Sequence, residues 1–327
     1  MSQNTQPSAW FKSIGSFLVI LFLMPLGHAL MIIMEHNMTP TALHYGAFLM
    51  GLVGLLVVIW GVFVKGDTRQ TIVGLCGSML FWTGWIEFLL AYYAQRYGAH
   101  PTVTDGDLMT VTHYVNGVAQ STEMFYNGQL VEGTRQLKEM GVLGSRPEYL
   151  MMPGTFGLFM MMMVLYTFCV RNGCNFICWI QEHIFGSKRT EIVARPMTRH
   201  TSIVVFMEWQ MMMWGCYLLC MFMYDETFLG DHHPLTIGIA IGCLVGSVFM
   251  FRRQLKMNAW GPNLRMALAT VIVFWTFVEV FIRMGLMKEI WVEPETHQAE
   301  MWSILAAFVI LIAFLVWQAR RHKKGAE

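Results

Sequence analysis

The chain is 327 residues long, 55% hydrophobic and only 13% charged, with a formal net charge of +1. That composition excludes an ordinary soluble domain and a disordered chain, and it describes a polytopic membrane protein. No arginine-rich aromatic motif accompanies it, so nothing in the chain points to nucleic acid as a partner.

Taken in chain order, apolar runs long enough to cross a bilayer fall at 14–36, 42–64, 71–95, 149–170, 202–224, 235–251, 264–287 and 301–318. These eight candidate spans predict an all-α, polytopic integral membrane protein, with 1–327 as a single transmembrane helical domain. The first run is too long for a signal-peptide core and lacks a small-x-small cleavage site, so it reads as a span. An even number of spans puts both termini on one side of the membrane. The basic tail ARRHKKGAE makes that side the cytoplasm. The same orientation gathers Lys65, Arg69, Arg171, Lys188, Arg189, Arg195, Arg199, Arg252 and Arg253 on the cytoplasmic side. The expected location is a bacterial inner membrane, with the opposite face turned to the periplasm.

Residues 96–148 form the one sizeable outer segment. It is polar and glycine-rich, too poor in apolar side chains to bury a core of its own. It is expected to lie as a cap over the membrane part, with a helix around VEGTRQLKEMG. On the inner side, 171–200 contains NFICWIQEHIFG, which reads as a short amphipathic helix at the lipid interface. The third and seventh runs carry FWTGWIE (Phe81–Glu87) and FWTFVE (Phe274–Glu279). Both run outward and both place a glutamate after the same Phe-Trp-Thr, which suggests a four-plus-four duplication with parallel repeats.

Titratable residues inside a membrane mark function more often than not, and here they gather towards one face. All histidines except His183, His200 and His322 fall in the outer half of the spans or in outer loops. Within the spans lie His28, Glu35, His44, Glu87, Glu208 and Glu279. His28 and Glu35, two turns apart, share a helix face with Met24 and Met31. His44 opens the next helix after a short turn and can return towards that face. The pattern reads as a metal cup. His28 and His44 are the candidate ligands, Glu35 is a ligand or proton acceptor, and Glu87 is a further ligand. Glu35, Glu87 and Glu208 are the candidate catalytic carboxylates. Imidazole with thioether nearby suits copper first and iron second.

Blander readings stand beside each of these. Glu279 precedes Arg283 by one turn, which also suits an intrahelical ion pair. Glu208 also reads as a buried, protonated carboxyl that hydrogen-bonds a neighbouring helix. His36, His232 and His233 lie at the water boundary, where a solvated surface histidine is the default. The 29 methionines, including Met207 and Met211 at Met-x-x-x-Met spacing, read as helix packing or pocket lining before copper conduction.

The run GHALMIIMEHNMTPTALHYG, Gly27 to Gly46, resembles a segment of the C subunit of the copper membrane monooxygenases, which oxidise methane, ammonia and short hydrocarbons. There a Gly-His is followed by an apolar turn, Met-Glu, a proline, and Leu-His-Tyr-Gly opening the next helix. The resemblance implies that His28 and His44 bind copper. It departs from the family at Met24, which stands where the family has an asparagine, and in a longer interval between the histidines. The family's Asp-x-x-x-His motif is absent from the chain.

The leading expectation is a membrane-embedded, metal-dependent oxidoreductase of monooxygenase type, acting on an apolar or small substrate near the outer face. Its enzymatic character is not fixed by the sequence. The alternatives are a copper or proton-coupled transporter relaying through Glu87, Glu208 and Glu279, and a non-catalytic subunit or scaffold. Membrane lipids and an oligomer or larger membrane complex complete the expected partners.

Overall fold

The computed structural model describes residues 9–116, 118–144, 151–152, 155, 159, 162–163, 175–185, 200–225, 228–288, 290–291, 294 and 296–324. It is mostly helical. In chain order the helices are α1 (Ala9–Asn37), α2 (Pro40–Gly61), α3 (Asp67–Phe81), a π segment (Trp82–Glu87) and α4 (Phe88–Arg96). After a cap come α6 (Asn175–Phe185), α7 (Thr201–Tyr224), α8 (Pro234–Gln254), α9 (Trp260–Arg283) and α10 (Gln298–Lys324). Six of these stretches are long and apolar enough to cross a membrane: Ala9–Met34, Thr41–Gly61, Asp67–Ala94, Thr201–Tyr224, Pro234–Gln254 and Trp260–Arg283. The expected span at 149–170 lies largely outside the described residues. The last expected span falls in α10, of which Gln298–Phe314 is an apolar stretch among the described residues.

Local chemistry sets the helix starts. Thr39 accepts a bond from the Ala42 amide while Pro40, which has no N–H to leave unpaired, opens α2. His233 does the same for α8, taking the Leu235 amide on Nδ1 at 3.2 Å ahead of Pro234.

The cap departs from an all-α reading. β1 (Leu108–Val115), β2 (Val118–Tyr126) and β3 (Gln129–Val131) form an antiparallel meander in the order β1-β2-β3. The β2–β3 turn is Asn127-Gly128 with φ of 48° and 80°. Both residues sit in the left-handed region that a two-residue type I′ hairpin demands and that Asn-Gly supplies most cheaply. The expected cap helix forms as α5 (Gly133–Glu139).

α7 and α9 are the most buried of the long helices, and α2 and α8 the least. α9 packs against α8, α1, α7 and α3, so it is the central post. The main core joins Trp82, Val205, Trp209, Met212, Leu268, Val271 and Ile272. α6 lays Ile177 against Met211, with Met207 beside them. The Met-x-x-x-Met pair therefore serves packing.

α2 docks on α3 and the π segment through glycine. A Cβ on Gly54 would sit 2.5 Å from the Phe81 nitrogen and 2.7 Å from the Gly77 oxygen. A Cβ on Gly84 would sit 2.4 Å from the Gly51 nitrogen. Backbone meets backbone here, the close approach that small residues allow between helices in lipid.

Two polar stitches tie the end of the bundle away from the cap. Arg265 Nη1 donates to both Asp67 carboxylate oxygens at 3.0 Å and to Thr71 Oγ1 at 2.7 Å, and Thr201 Oγ1 donates to Asp67 Oδ1 at 2.9 Å. Gln254 Nε2 donates to Asn263 Oδ1 and to the Ser13 carbonyl, while Asn263 Nδ2 donates to Ser13 Oγ. Ser13, Gln254, Asn263 and Arg265 are buried and find these partners within the protein, whereas Asp67 is half exposed.

Candidate functional site

His28, on α1, and Glu87, the last residue of the π segment, meet in a hydrogen bond of 2.5 Å between Nδ1 and Oε1. Each side chain is 22% exposed. Ordinary α-helical pitch does not continue through Trp82–Glu87. A π turn accommodates an extra residue and re-aims the side chains beyond it, which is why such turns recur at functional sites. The two related motifs differ accordingly. FWTGWIE is one residue longer than FWTFVE, and it is the longer copy that adopts the π conformation, whereas Phe274–Glu279 lies in regular α9. The Trp85 indole N–H donates to the Phe48 carbonyl at 2.9 Å and fixes the π segment to α2.

The His28–Glu87 pair lines a recess of about 40 Å³ together with Met24, Met79, Trp82, Thr83, Trp209, Met213, Trp275 and Glu279. The volume suits an ion or a few waters rather than an organic substrate. Both Phe-Trp-Thr motifs contribute their tryptophan and their glutamate to this one recess. Glu279 accepts the Trp275 indole N–H at 2.8 Å. The Trp209 indole nitrogen is buried and has no hydrogen-bond partner among the described residues. An unmatched donor beside a small polar recess calls for an oxygen or other acceptor within it.

Met24, Met213, Tyr217, Trp275 and Glu279 also line a second cavity of about 790 Å³, which extends from the recess to the cap. Gly141, Leu143 and Gly144 of the cap close over it. Arg283 anchors this junction. It donates from Nε to Asp231 Oδ1 at 2.8 Å and from Nη2 to the Gly144 carbonyl, and its guanidinium carbon lies 4.3 Å from the Tyr224 ring centre.

The structure thus unites two of the expected site residues and separates others. His28 and Glu87 are paired. His44 does not line the recess. It is exposed, with its ring edge-on to Tyr92 at 4.5 Å and tilted against Phe88 at 5.8 Å. The expected meeting of the His28 and His44 rings around one ion is not among the contacts of the described residues, which pair His28 with Glu87 and set His44 against Tyr92 and Phe88. α1 packs mainly on α9 and α2 is held to α3 by its glycines, while the hairpin touches itself through Met31 against Leu43 and Ala47 beside Phe88. Glu208 is fully buried in α7 but lines neither cavity. The side chain of Glu35 lies outside the described residues. Trp209, Met79 and Met213 enter the recess without any signal in the sequence pattern that singles them out.

Among the described residues no three His, Cys, Asp or Glu side chains are grouped so as to hold a metal ion. A divalent centre built only from imidazole and carboxylate does not fit this arrangement. The recess does offer one imidazole and the thioethers of Met24, Met79 and Met213, donors of the soft and borderline kind, beside two carboxylates, which are hard donors. Comparison with protein-family models, with curated proteins and with solved structures finds no match.

Proposed function

We propose that the chain is a multi-pass, membrane-embedded oxidoreductase that works with copper at the His28–Glu87 recess, near the outer face. The reading includes eight spans with both termini cytoplasmic, and two four-span halves whose Phe-Trp-Thr motifs converge on the site. The observation that carries it is the His28–Glu87 bond in the wall of a recess that continues into a substrate-sized cavity. A carboxylate on one imidazole nitrogen fixes the tautomer and ring angle and raises the basicity of the other nitrogen, the arrangement that supports metal-ligating histidines. His28 would hold the ion together with thioethers of the recess, and Glu87 would orient His28 and take up protons. Copper there would supply dioxygen activation or electron transfer. Trp209 would donate a hydrogen bond to an oxygen in the recess. His44 has no part in this reading.

The test is elemental analysis of detergent-purified protein from copper-replete cells, followed by X-ray absorption for copper–sulfur scattering. Bound copper should be lost in His28→Ala and kept in His44→Phe. Protein that carries no copper, or a His28→Ala variant that keeps all of it, overturns the proposal.

A further inference from the structure

The larger cavity is too big for the gases and two-carbon molecules that a 40 Å³ recess would take. At about 790 Å³ it has the volume of a site for a drug-sized molecule. Its length is set by α9: the wall from Ile272 to Arg283 runs roughly 16 Å at about 1.5 Å per residue. Its two ends differ in chemistry. At the recess end the walls are Met24, Met213, Ile272 and Trp275, apolar apart from the Glu279 carboxylate and the indole N–H that Glu279 accepts. At the cap end stand Arg283, Lys288, His232 and His297, all able to carry positive charge, and Glu279 is the only carboxylate among the described lining residues. Asp231 neutralises Arg283, and His297 lies 3.6 Å from Glu300. Lys288 is exposed at the rim and has no acidic partner among the described residues. The Arg283 guanidinium carbon lies 4.3 Å from the Tyr224 ring centre, so its charge stands on an aromatic face at this same end. An ammonium with no acidic partner among the described residues, beside a guanidinium, at one end of a largely apolar cavity makes a headgroup site for an oxyanion.

We infer that this cavity takes a single-chain amphiphile with an anionic headgroup, seated tail first, so that the chain end rather than the head reaches the His28–Glu87 recess. This rests on the oxidoreductase reading only for calling the ligand a substrate; the binding itself does not need copper. A carboxylate head at Lys288 and Arg283 leaves the aliphatic chain against Cys220, Tyr217, Met213 and Trp275. A two-chain phospholipid exceeds the cavity.

The experiment uses the full-length protein in non-ionic detergent, with and without copper removed by chelation, and dodecanoate bearing a photoreactive diazirine at its terminal carbon. Adducts mapped by mass spectrometry should fall on Met213, Trp275 or Ile272. Unlabelled dodecanoate should compete, and dodecanol and dodecyltrimethylammonium should each be at least about tenfold weaker, the loss of one charge-assisted contact. Lys288→Gln, on an exposed turn, should weaken dodecanoate by a similar factor and leave dodecanol unchanged. Equal competition by the cationic analogue, adducts on the rim around Lys288, or full competition by phosphatidylglycerol each overturn the inference. Copper present without dodecanoate binding removes this inference and leaves the proposed function standing. Dodecanoate binding to protein that never carries copper does the reverse.

Discussion

Gly84→Ala isolates the link between helix packing and the site. Gly84 lies inside the π segment that carries Glu87, and its added Cβ would meet the Gly51 nitrogen at 2.4 Å, the Ala47 oxygen at 2.6 Å and the Gly51 Cα at 2.9 Å. All three are backbone atoms, so no side chain can swing aside. Ordinary contact begins near 3.4 Å, so α2 and the π segment must part by about 1 Å. Overpacking of this kind costs about 1–3 kcal/mol, against a gain of up to about 1 kcal/mol from replacing a helical glycine. The net expectation is a destabilisation of about 1–2 kcal/mol. A shift of about 1 Å directed along the His28–Glu87 bond would weaken it by lengthening it to the edge of hydrogen-bonding range, about 3.5 Å, so copper held there should fall along with stability. Thermal unfolding of the solubilised protein by circular dichroism, with copper measured in parallel, reads both effects. Gly242→Ala on α8 is the control, because nothing among the described residues lies within 4 Å of its Cβ position, and it should be neutral or slightly stabilising. A Gly84→Ala variant that melts with the wild type and keeps its copper refutes the reasoning.

Glu87→Gln keeps the shape but removes the charge that orients His28, and copper affinity should fall about 10–100-fold, read by competition with a chelator. Asn263→Leu strips the buried partner from Gln254 and Ser13 and should destabilise by about 1–3 kcal/mol, measured by denaturant unfolding. Asn127→Ala puts a Cβ-bearing residue without a local hydrogen-bonding side chain into the left-handed turn of the cap, a loss of about 1–2 kcal/mol. Faster amide exchange confined to β2 and β3 would report it.

The apolar runs made the long helices legible, because a bilayer-length stretch with few charges has little else to become. The cap was less so. Its polar content argued against a core, while the stronger signal lay in YNGQ, an Asn-Gly between alternating residues, which specifies a hairpin whatever its hydrophobicity. His28 and Glu87 were both visible as titratable groups in apolar surroundings, but their partnership was not. Sequence neighbourhood favoured His44, one hairpin away. Which helix faces meet is decided instead by where backbones approach closely, and Gly51, Gly54, Gly77 and Gly84 commit α2 to α3. The one-residue difference between the two Phe-Trp-Thr motifs was present in the chain as written. Its meaning, a local widening of the helix that re-aims Glu87, emerges only once both copies are seen to line the same recess.

The paired polar clasps at Asp67–Arg265–Thr201 and Ser13–Gln254–Asn263 have a mechanical corollary. The foot is held across three helices by each clasp, whereas the opposite end is tied by Arg283 to Asp231 and to the Gly144 carbonyl. A shuttle cycle that must gape to both compartments would have to unfasten both clasps at the foot, so the expectation is a narrower spread of distances there than at the rim. Spin labels at the two ends should report a broad spacing at the rim and a narrow one at the base.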